Sequence, residues 1–145
     1  MTDRCPTTLE ELDEALSRPH RIAVDALASL DGDVLVLGAG GKMGPTLARM
    51  ARRALDAAGH ADRRVIAVSR WSDARAAAAL AASGVAVVSA DLLDRGQVDA
   101  LPFAPNVVFM AGQKFGTAGD PAQTWAMNAV VPAWCAERFA GARQV

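Results

Sequence analysis

Apolar residues follow two patterns along this chain: short continuous runs, and longer segments in which they recur every three or four positions. The run 34–37 follows the turn signal Asp31-Gly32-Asp33 and has the composition of a strand buried on both faces. Similar runs predict three more strands, at 65–69, 85–90 and 107–111. Helices are predicted after the strands, at about 42–58, 73–82, 94–101 and 121–139. This alternation predicts an α/β fold, a parallel sheet with helices on both faces.

Two short helices are predicted before the first strand. Thr7 stands three residues before Glu10 and Thr8 three residues before Glu11, and either pair has the spacing of a capping box. We expect one helix over about 7–17, ended by Pro19, and a second over about 21–30. The predicted organisation is an N-terminal helical extension, residues 1–32, and one α/β domain, residues 33–145. A fifth strand would only be starting where the sequence stops, so the domain is expected to be incomplete.

Composition and charge argue against several classes of protein. The 145 residues are 52% hydrophobic and 21% charged with a net charge of −1, as in soluble globular proteins. Basic residues are scattered among acidic ones, so no nucleic-acid partner is expected. No apolar run reaches the roughly 18 residues of a spanning helix, and the N-terminus does not resemble a signal peptide. We expect no membrane association and a cytoplasmic location. Cys5 and Cys135 fit no metal-ligand spacing, so no metal is expected.

A glycine-rich turn, residues 38–44, follows the first strand and opens a helix, which is the setting of a dinucleotide-binding turn. Gly38 would allow a sharp turn, Gly41 a close approach of pyrophosphate to the backbone, and Gly44 close packing of the helix on the sheet. Amide groups at the helix start would supply the anion site. A Walker loop is excluded because Met43 follows Lys42 where Ser or Thr is needed. A methyltransferase is disfavoured by the apolar end of the first strand, and a tight turn without a ligand stays open.

The spacing Gly-x-x-Gly-x-x-Gly resembles the turn of the extended short-chain dehydrogenase/reductase superfamily, also called the NAD-dependent epimerase/dehydratase family. Four further features agree: Ser69-Arg70 ends the second strand, Asp91-Leu92 follows the third, Phe109-Met110-Ala111-Gly112 ends the fourth, and Asn128 lies in the long helix. The resemblance covers about residues 33–145. It implies a Rossmann-type NAD(P)-binding domain, the nucleotide-binding half of such an enzyme.

Residues after the strands set the expected choice of cofactor. Arg70 stands where an arginine can pair with the extra phosphate of NADP, so NADP is favoured over NAD. Asp73 leaves NAD as the alternative cofactor. The alternative role of Arg70 is that of a solvated charge at the end of the strand. The resemblance implies that Asp91 binds the adenine amino group, with a helix cap as the competing role. The predicted cofactor-binding residues are Gly38, Gly40, Gly41, Lys42, Met43, Gly44, Ser69, Arg70, Asp91, Leu92, Ala111 and Gly112.

The resemblance implies an oxidoreductase, epimerase or dehydratase acting on a hydroxyl-bearing substrate such as a nucleotide sugar. The family's Tyr-x-x-x-Lys segment is missing and the chain has no tyrosine, so we predict no catalytic residue within it. A non-catalytic NAD(P)-binding sensor or interaction module is the alternative. An uncovered sheet edge predicts association between copies.

Side chains outside the predicted cofactor set are given structural roles. Asn128 is expected to be structural, because a buried amide needs a partner. Pro132 is expected to disturb the long helix, because it lacks a backbone amide. The three tryptophans are interpreted as packing residues.

Overall fold

Five short strands form one parallel sheet in the part of the chain that the computed structural model describes, residues 5–114 and 119–145. In chain order they are β1 (Val34–Leu37), β2 (Val65–Ser69), β3 (Ala86–Ser89), β4 (Asn106–Phe109) and β5 (Arg143–Gln144). Their order across the sheet is β3-β2-β1-β4-β5, and every neighbouring pair is parallel. The central strand β1 is buried along its whole length, as its continuous apolar run predicted. The direction of winding reverses between β1 and β4, where ligands bind in open α/β sheets.

Helices cover both faces of this sheet. They are α1 (Leu9–Leu16), α2 (Arg21–Ala28), α3 (Gly44–Ala57), α4 (Ala74–Ala82), α5 (Arg95–Asp99), α6 (Pro121–Trp125) and α7 (Val131–Arg138). One face buries apolar residues of α3 and α4, among them Leu55 and Leu80, against β1 and β2. The other buries residues of α5 and α7, among them Val98 and Cys135, together with Phe139 just after α7. The prediction of an α/β fold is confirmed, and the strand order makes it a Rossmann-type fold.

Polar side chains start most of these helices. Thr8, His20, Asp73, Asp94 and Asp120 each accept a hydrogen bond from a backbone amide in the first turn of α1, α2, α4, α5 and α6 respectively. Thr8 accepts from the Glu11 amide, so the second of the two predicted capping pairs is the one that forms. Neither α7 nor α3, which begins after Met43, has a side-chain cap. At the start of α3 the Gly44 amide donates to the Gly41 carbonyl, and Pro45 has no amide to donate.

The N-terminal helices pack against α3. The guanidinium of Arg53 donates to Ser17 Oγ over 2.9 Å and pairs with Glu14 over 2.6 Å. Arg63 donates to the carbonyl of Leu30. These contacts join the extension to the α/β unit, and the predicted boundary at residue 32 stays a prediction. Within residues 5–114 and 119–145, no helix is long and apolar enough to cross a membrane.

Several predicted boundaries were wrong. The helix expected from Lys42 begins at Gly44, and the strand expected over 85–90 is the shorter β3. The long helix expected over 121–139 is interrupted between α6 and α7 by a π-helical turn, Ala126–Val130. The amide of Val131 donates to Ala126 five residues back, and the next residue, Pro132, has no amide to donate. The disturbance that Pro132 predicted is therefore present just before it.

Candidate functional site

A cleft of about 290 Å³ lies at the carboxyl ends of the strands. Its wall is formed by the turn after β1, the segments after β2 and β3, and the end of β4. Its lining residues are Gly38, Gly40, Gly41, Pro45, Ser69, Arg70, Trp71, Ser72, Asp73, Ala76, Ala90, Asp91, Leu92, Met110, Ala111, Gly112 and Met127. The cleft thus opens at the reversal of strand order, where the fold itself favours a ligand.

Three glycines of the turn after β1 are required by the fold. Gly38 has a φ of +81°, and a Cβ there would lie 2.5 Å from the backbone nitrogen of Ala111. A Cβ on Gly40 would collide with the hydroxyl of Ser69, and one on Gly44 with the backbone of Ala39. The turn is held to the sheet because the amides of Gly38 and Ala39 both donate to the Val68 carbonyl. These contacts agree with the sharp turn and the close packing expected of Gly38 and Gly44.

Gly41 differs from the other turn glycines because no contact among the described residues requires a glycine there. A Cβ there would meet only the carbonyl oxygen of Gly38, at an ordinary 3.5 Å. Gly41 nevertheless lines the cleft. Within the described residues, the amides of Gly40, Lys42 and Met43 have no hydrogen-bond acceptor. A glycine that faces open space beside unpartnered amides and the uncapped start of α3 fits the approach of an anionic group.

The segment after β2 places two charged side chains and an indole at the cleft. Arg70 is exposed and lines the cleft. Asp73 is the residue for which NAD was considered as an alternative cofactor. Its Oδ1 caps α4 by accepting hydrogen bonds from the amides of Arg75 at 2.9 Å and Ala76 at 3.2 Å. Trp71 is half-buried and donates its indole N–H to the Val88 carbonyl over 2.9 Å. Arg70 makes no hydrogen bond or ion pair with any described residue, so its positive charge is available at the cleft.

The segment after β3 is held rigid by its own side chains. Asp91 Oδ1 accepts from the Leu93 amide at 3.0 Å, and the Asp91 amide donates to Gln97 Oε1 at 2.8 Å. Gln97 also donates to Asp94, and this side-chain hydrogen bond is the main reason that the pKa of the Asp94 carboxyl is lowered. The helix-cap role considered for Asp91 is wrong, because Asp94 caps α5. Asp91 Oδ2 makes no hydrogen bond to any described residue.

The end of β4 brings Ala111 and Gly112 to the cleft, opposite the turn after β1. The side chain of Asn128, in the π-helical turn, makes two hydrogen bonds with the backbone of Gln113. Its Oδ1 accepts from the Gln113 amide at 2.8 Å, and its Nδ2 donates to the Gln113 carbonyl at 2.6 Å. Asn128 has the structural role predicted for it, since it fixes the segment that carries Ala111 and Gly112. Residues 115–118 of the glycine-rich insert lie outside the described residues.

Most of the predicted binding residues converge on this cleft. The ones that line it are Gly38, Gly40, Gly41, Ser69, Arg70, Asp91, Leu92, Ala111 and Gly112. Gly44 is buried under Ala39, and the exposed residues Lys42 and Met43 do not line the cleft. The lining residues that sequence analysis did not predict include Trp71, Met110 and Met127. The two methionines flank predicted positions, whereas the backbone conformation that places Trp71 has no sequence signal.

No His, Cys, Asp and Glu cluster able to hold a metal ion occurs among residues 5–114 and 119–145. Cys135 is buried in α7, away from the cleft, and burial raises the pKa of its thiol to about 11. Cys5 is exposed.

Comparison with known proteins supports the fold through similarity to solved structures. No protein-family model matches the chain, and no curated protein is similar to it. The chain is similar to the crystal structure of an oxidoreductase of the short-chain dehydrogenase/reductase family from Burkholderia thailandensis, with 26% sequence identity and a TM-score of 0.52. The match covers 78% of this chain and 47% of that one, so the chain spans about half the length of its neighbour. This likeness supports the Rossmann-type superfamily of short-chain dehydrogenases and reductases, and the epimerase/dehydratase subdivision stays a prediction.

Proposed function

We propose that this chain binds a nicotinamide dinucleotide at the cleft, with the diphosphate against the turn after β1. The observation that carries the proposal is Gly41, a glycine with no role in the fold that lines an open cleft beside unpartnered amides. The uncapped start of α3 adds the positive end of a helix dipole. The neighbouring structure is an oxidoreductase of a family with this fold, which supports the same class of ligand.

We also propose that NADP is preferred over NAD. The ribose 2′-phosphate of NADP needs a cation, whereas the free 2′-hydroxyl of NAD needs an acidic acceptor close to the end of β2. Arg70 stands there without a structural partner, and its planar guanidinium can contact a phosphate through two N–H groups. Asp73, the nearest acidic residue along the chain, caps α4 through Oδ1 and has no hydrogen bond from a described residue at Oδ2, so NAD is the competing cofactor.

The activity proposed for the whole protein is oxidation or rearrangement of a hydroxyl-bearing substrate such as a nucleotide sugar. When bound, the dinucleotide supplies the hydride acceptor or donor for such chemistry. Residues of this chain hold and orient it: the glycine turn takes the diphosphate, Arg70 the 2′-phosphate, and Ala111 with Gly112 leave room beside β4. Proton transfer needs an acid, and the resemblance assigns that task to a tyrosine, of which this chain has none. The alternative function, a nucleotide sensor without catalysis, uses the same binding residues.

Calorimetric titration of the purified chain with NADP+ and NAD+ tests the binding proposal. We expect saturable binding of both, with NADP+ the tighter ligand. Arg70→Ser should reduce the preference for NADP+ about tenfold, because it removes a charge-assisted contact made to the 2′-phosphate alone. Arg75→Ser is the matched control, since Arg75 is exposed on α4, does not line the cleft and carries the same charge.

The titration tests the preference for NADP+ and the binding of a dinucleotide separately. Equal affinity for NADP+ and NAD+ in the unmodified chain would remove the role of Arg70 but leave dinucleotide binding intact. Absence of binding by either dinucleotide would overturn the proposed function itself.

A further inference from the structure

Trp71 has a backbone conformation that its side chain does not favour. Its φ is +50°, and among residues 5–114 and 119–145 it is the one residue other than glycine with a positive φ. The left-handed region is disfavoured for residues with a Cβ, and a bulky residue is held there only by its surroundings. Such outliers concentrate where a ligand is clamped. The conformation places an aromatic ring where the chain leaves β2.

Two contacts fix the indole of Trp71 at the cleft. Its N–H donates to the Val88 carbonyl over 2.9 Å, so the polar atom of the ring is satisfied by the sheet. The ring also packs against the apolar face covered by α3 and α4. Near its other end, a Cβ on Gly40 would lie 3.9 Å from Trp71 Cε3, so the missing side chain of Gly40 leaves this part of the ring open. The indole is anchored at one end and half-exposed at the cleft.

The surroundings of Trp71 match the shape and chemistry of a purine base. Ala76 and Leu92 line the same cleft as small or apolar surfaces, and Asp91 contributes a carboxylate with Oδ2 unpartnered. Because β2 and β3 are adjacent and parallel, the segments that follow them lie side by side. A flat aromatic ring beside a carboxylate can bind a purine by its face and by its amino group at once.

We propose that Trp71 is the stacking platform for the adenine base, whose amino group the resemblance already assigns to Asp91. The inference rests on the proposed function and adds a positioning residue to it. A residue needed only to fill the core would gain nothing from a left-handed backbone, whereas a stacking residue must present its ring to the cleft. Base stacking on an aromatic residue tolerates changes at the base edge, while the carboxylate contact does not.

The test uses Trp71→Gly and Trp71→Phe in the full chain, with Trp125→Phe as the matched control. Glycine adopts a positive φ without strain, so Trp71→Gly removes the ring and relieves the backbone. Trp125 is exposed on α6 and does not line the cleft. We expect Trp71→Gly to weaken NADP+ binding about tenfold, and Trp71→Phe to weaken it less than about threefold, because a ring is retained. Trp125→Phe should bind as the unmodified chain does.

Fluorescence and a modified base complete the test. NADP+ should quench tryptophan emission in the unmodified chain and in Trp125→Phe, and the quench should be lost in Trp71→Phe. The analogue of NADP+ with hypoxanthine in place of adenine should lose affinity by the same factor in Trp71→Gly as NADP+ does. Asp91→Asn should weaken binding of NADP+ more than binding of that analogue.

The outcomes separate this inference from the proposed function. Unchanged NADP+ affinity in Trp71→Gly, or a full quench in Trp71→Phe, would overturn the role of Trp71 while cofactor binding stood. If Trp71→Gly fails to fold by circular dichroism, the quench measured in Trp71→Phe decides the matter. If the unmodified chain binds no dinucleotide, both proposals fall.

Discussion

Substitution of Gly41 separates cofactor binding from folding more sharply than any other change in the turn. An alanine Cβ at this position would lie 3.5 Å from the Gly38 carbonyl oxygen, an ordinary contact. Gly41 is not among the residues with positive φ, so an L-residue can adopt its backbone conformation. Replacing such a glycine by alanine restricts the unfolded chain. Gly41→Ala should therefore leave the free energy of unfolding unchanged or raise it by up to about 1 kcal/mol.

The same substitution should damage binding. Gly41 lines the cleft, and a methyl group there takes space that the proposed diphosphate needs to reach the backbone amides. We expect Gly41→Ala to weaken NADP+ binding at least about tenfold, equivalent to about 1.4 kcal/mol. Gly41→Val should weaken it further because the added group is larger. The substitution would then lower the affinity without lowering the stability, whereas replacing a purely structural glycine would lower the stability.

Urea denaturation and calorimetric titration on the same preparations measure the two quantities, with two other glycines as controls. Gly44→Ala places a Cβ against the Ala39 backbone and should destabilise the chain by about 1–3 kcal/mol. Gly59→Ala requires an alanine to adopt the φ of +82° of Gly59, while its Cβ would have no neighbouring atom within 4 Å. It should cost about 1 kcal/mol without changing affinity. If Gly41→Val keeps the affinity of the unmodified chain, the diphosphate does not lie at this turn and the reasoning fails.

Two further predictions concern the far side of the cleft and the core. Asn128→Ala removes both side-chain partners of the Gln113 backbone and should lower the free energy of unfolding, measured by urea denaturation, by about 1–3 kcal/mol. The affinity for NADP+, measured by calorimetry, should also fall. An unchanged free energy of unfolding would contradict the structural role of Asn128. Cys135 should resist a thiol reagent at pH 8 while Cys5 reacts, because burial raises the pKa of Cys135 to about 11. Since this folded-state pKa lies above the reference value of 9.0, the contribution of Cys135 to stability is complete below that pH and is lost as the pH rises through about 11. Cys135→Ala should flatten that alkaline decline, and an equal decline in both forms would refute the assignment.

The sheet could be predicted from sequence because its strands are buried on both faces. Such strands are continuous apolar runs, and β1, which is wholly buried, was predicted with its correct bounds. The edge strand β3 is only partly buried, and there the predicted strand was too long at both ends. Periodicity also extended the last helix through Ala126–Val130, because a π-helical turn keeps its side chains close to helical spacing. Pro132 gave the position of the disturbance but not its form.

The candidate site was predictable wherever a residue type is demanded by backbone geometry. Gly38 and Gly44 could be inferred because a side chain at either position would overlap the backbone. Trp71 could not, since a tryptophan with positive φ follows from tertiary contacts and has no local signature. For a similar reason, the sequence did not decide whether Asp91 binds the adenine amino group or caps the following helix. Both Asp91 and Asp94 stand between β3 and α5, and only the hydrogen bonds show that Asp94 makes the cap.

The glycine spacing therefore carries two kinds of information that sequence alone cannot separate. Gly38, Gly40 and Gly44 are explained by the protein's own atoms and would be needed in the same turn without any ligand. A tight turn with no ligand was an open alternative, and these three glycines alone would satisfy it. Gly41 is not explained in this way, because its missing side chain relieves no contact with the residues that the structure describes. The proposed diphosphate, lying close to the backbone in the cleft beside Gly41, would give that glycine a physical reason.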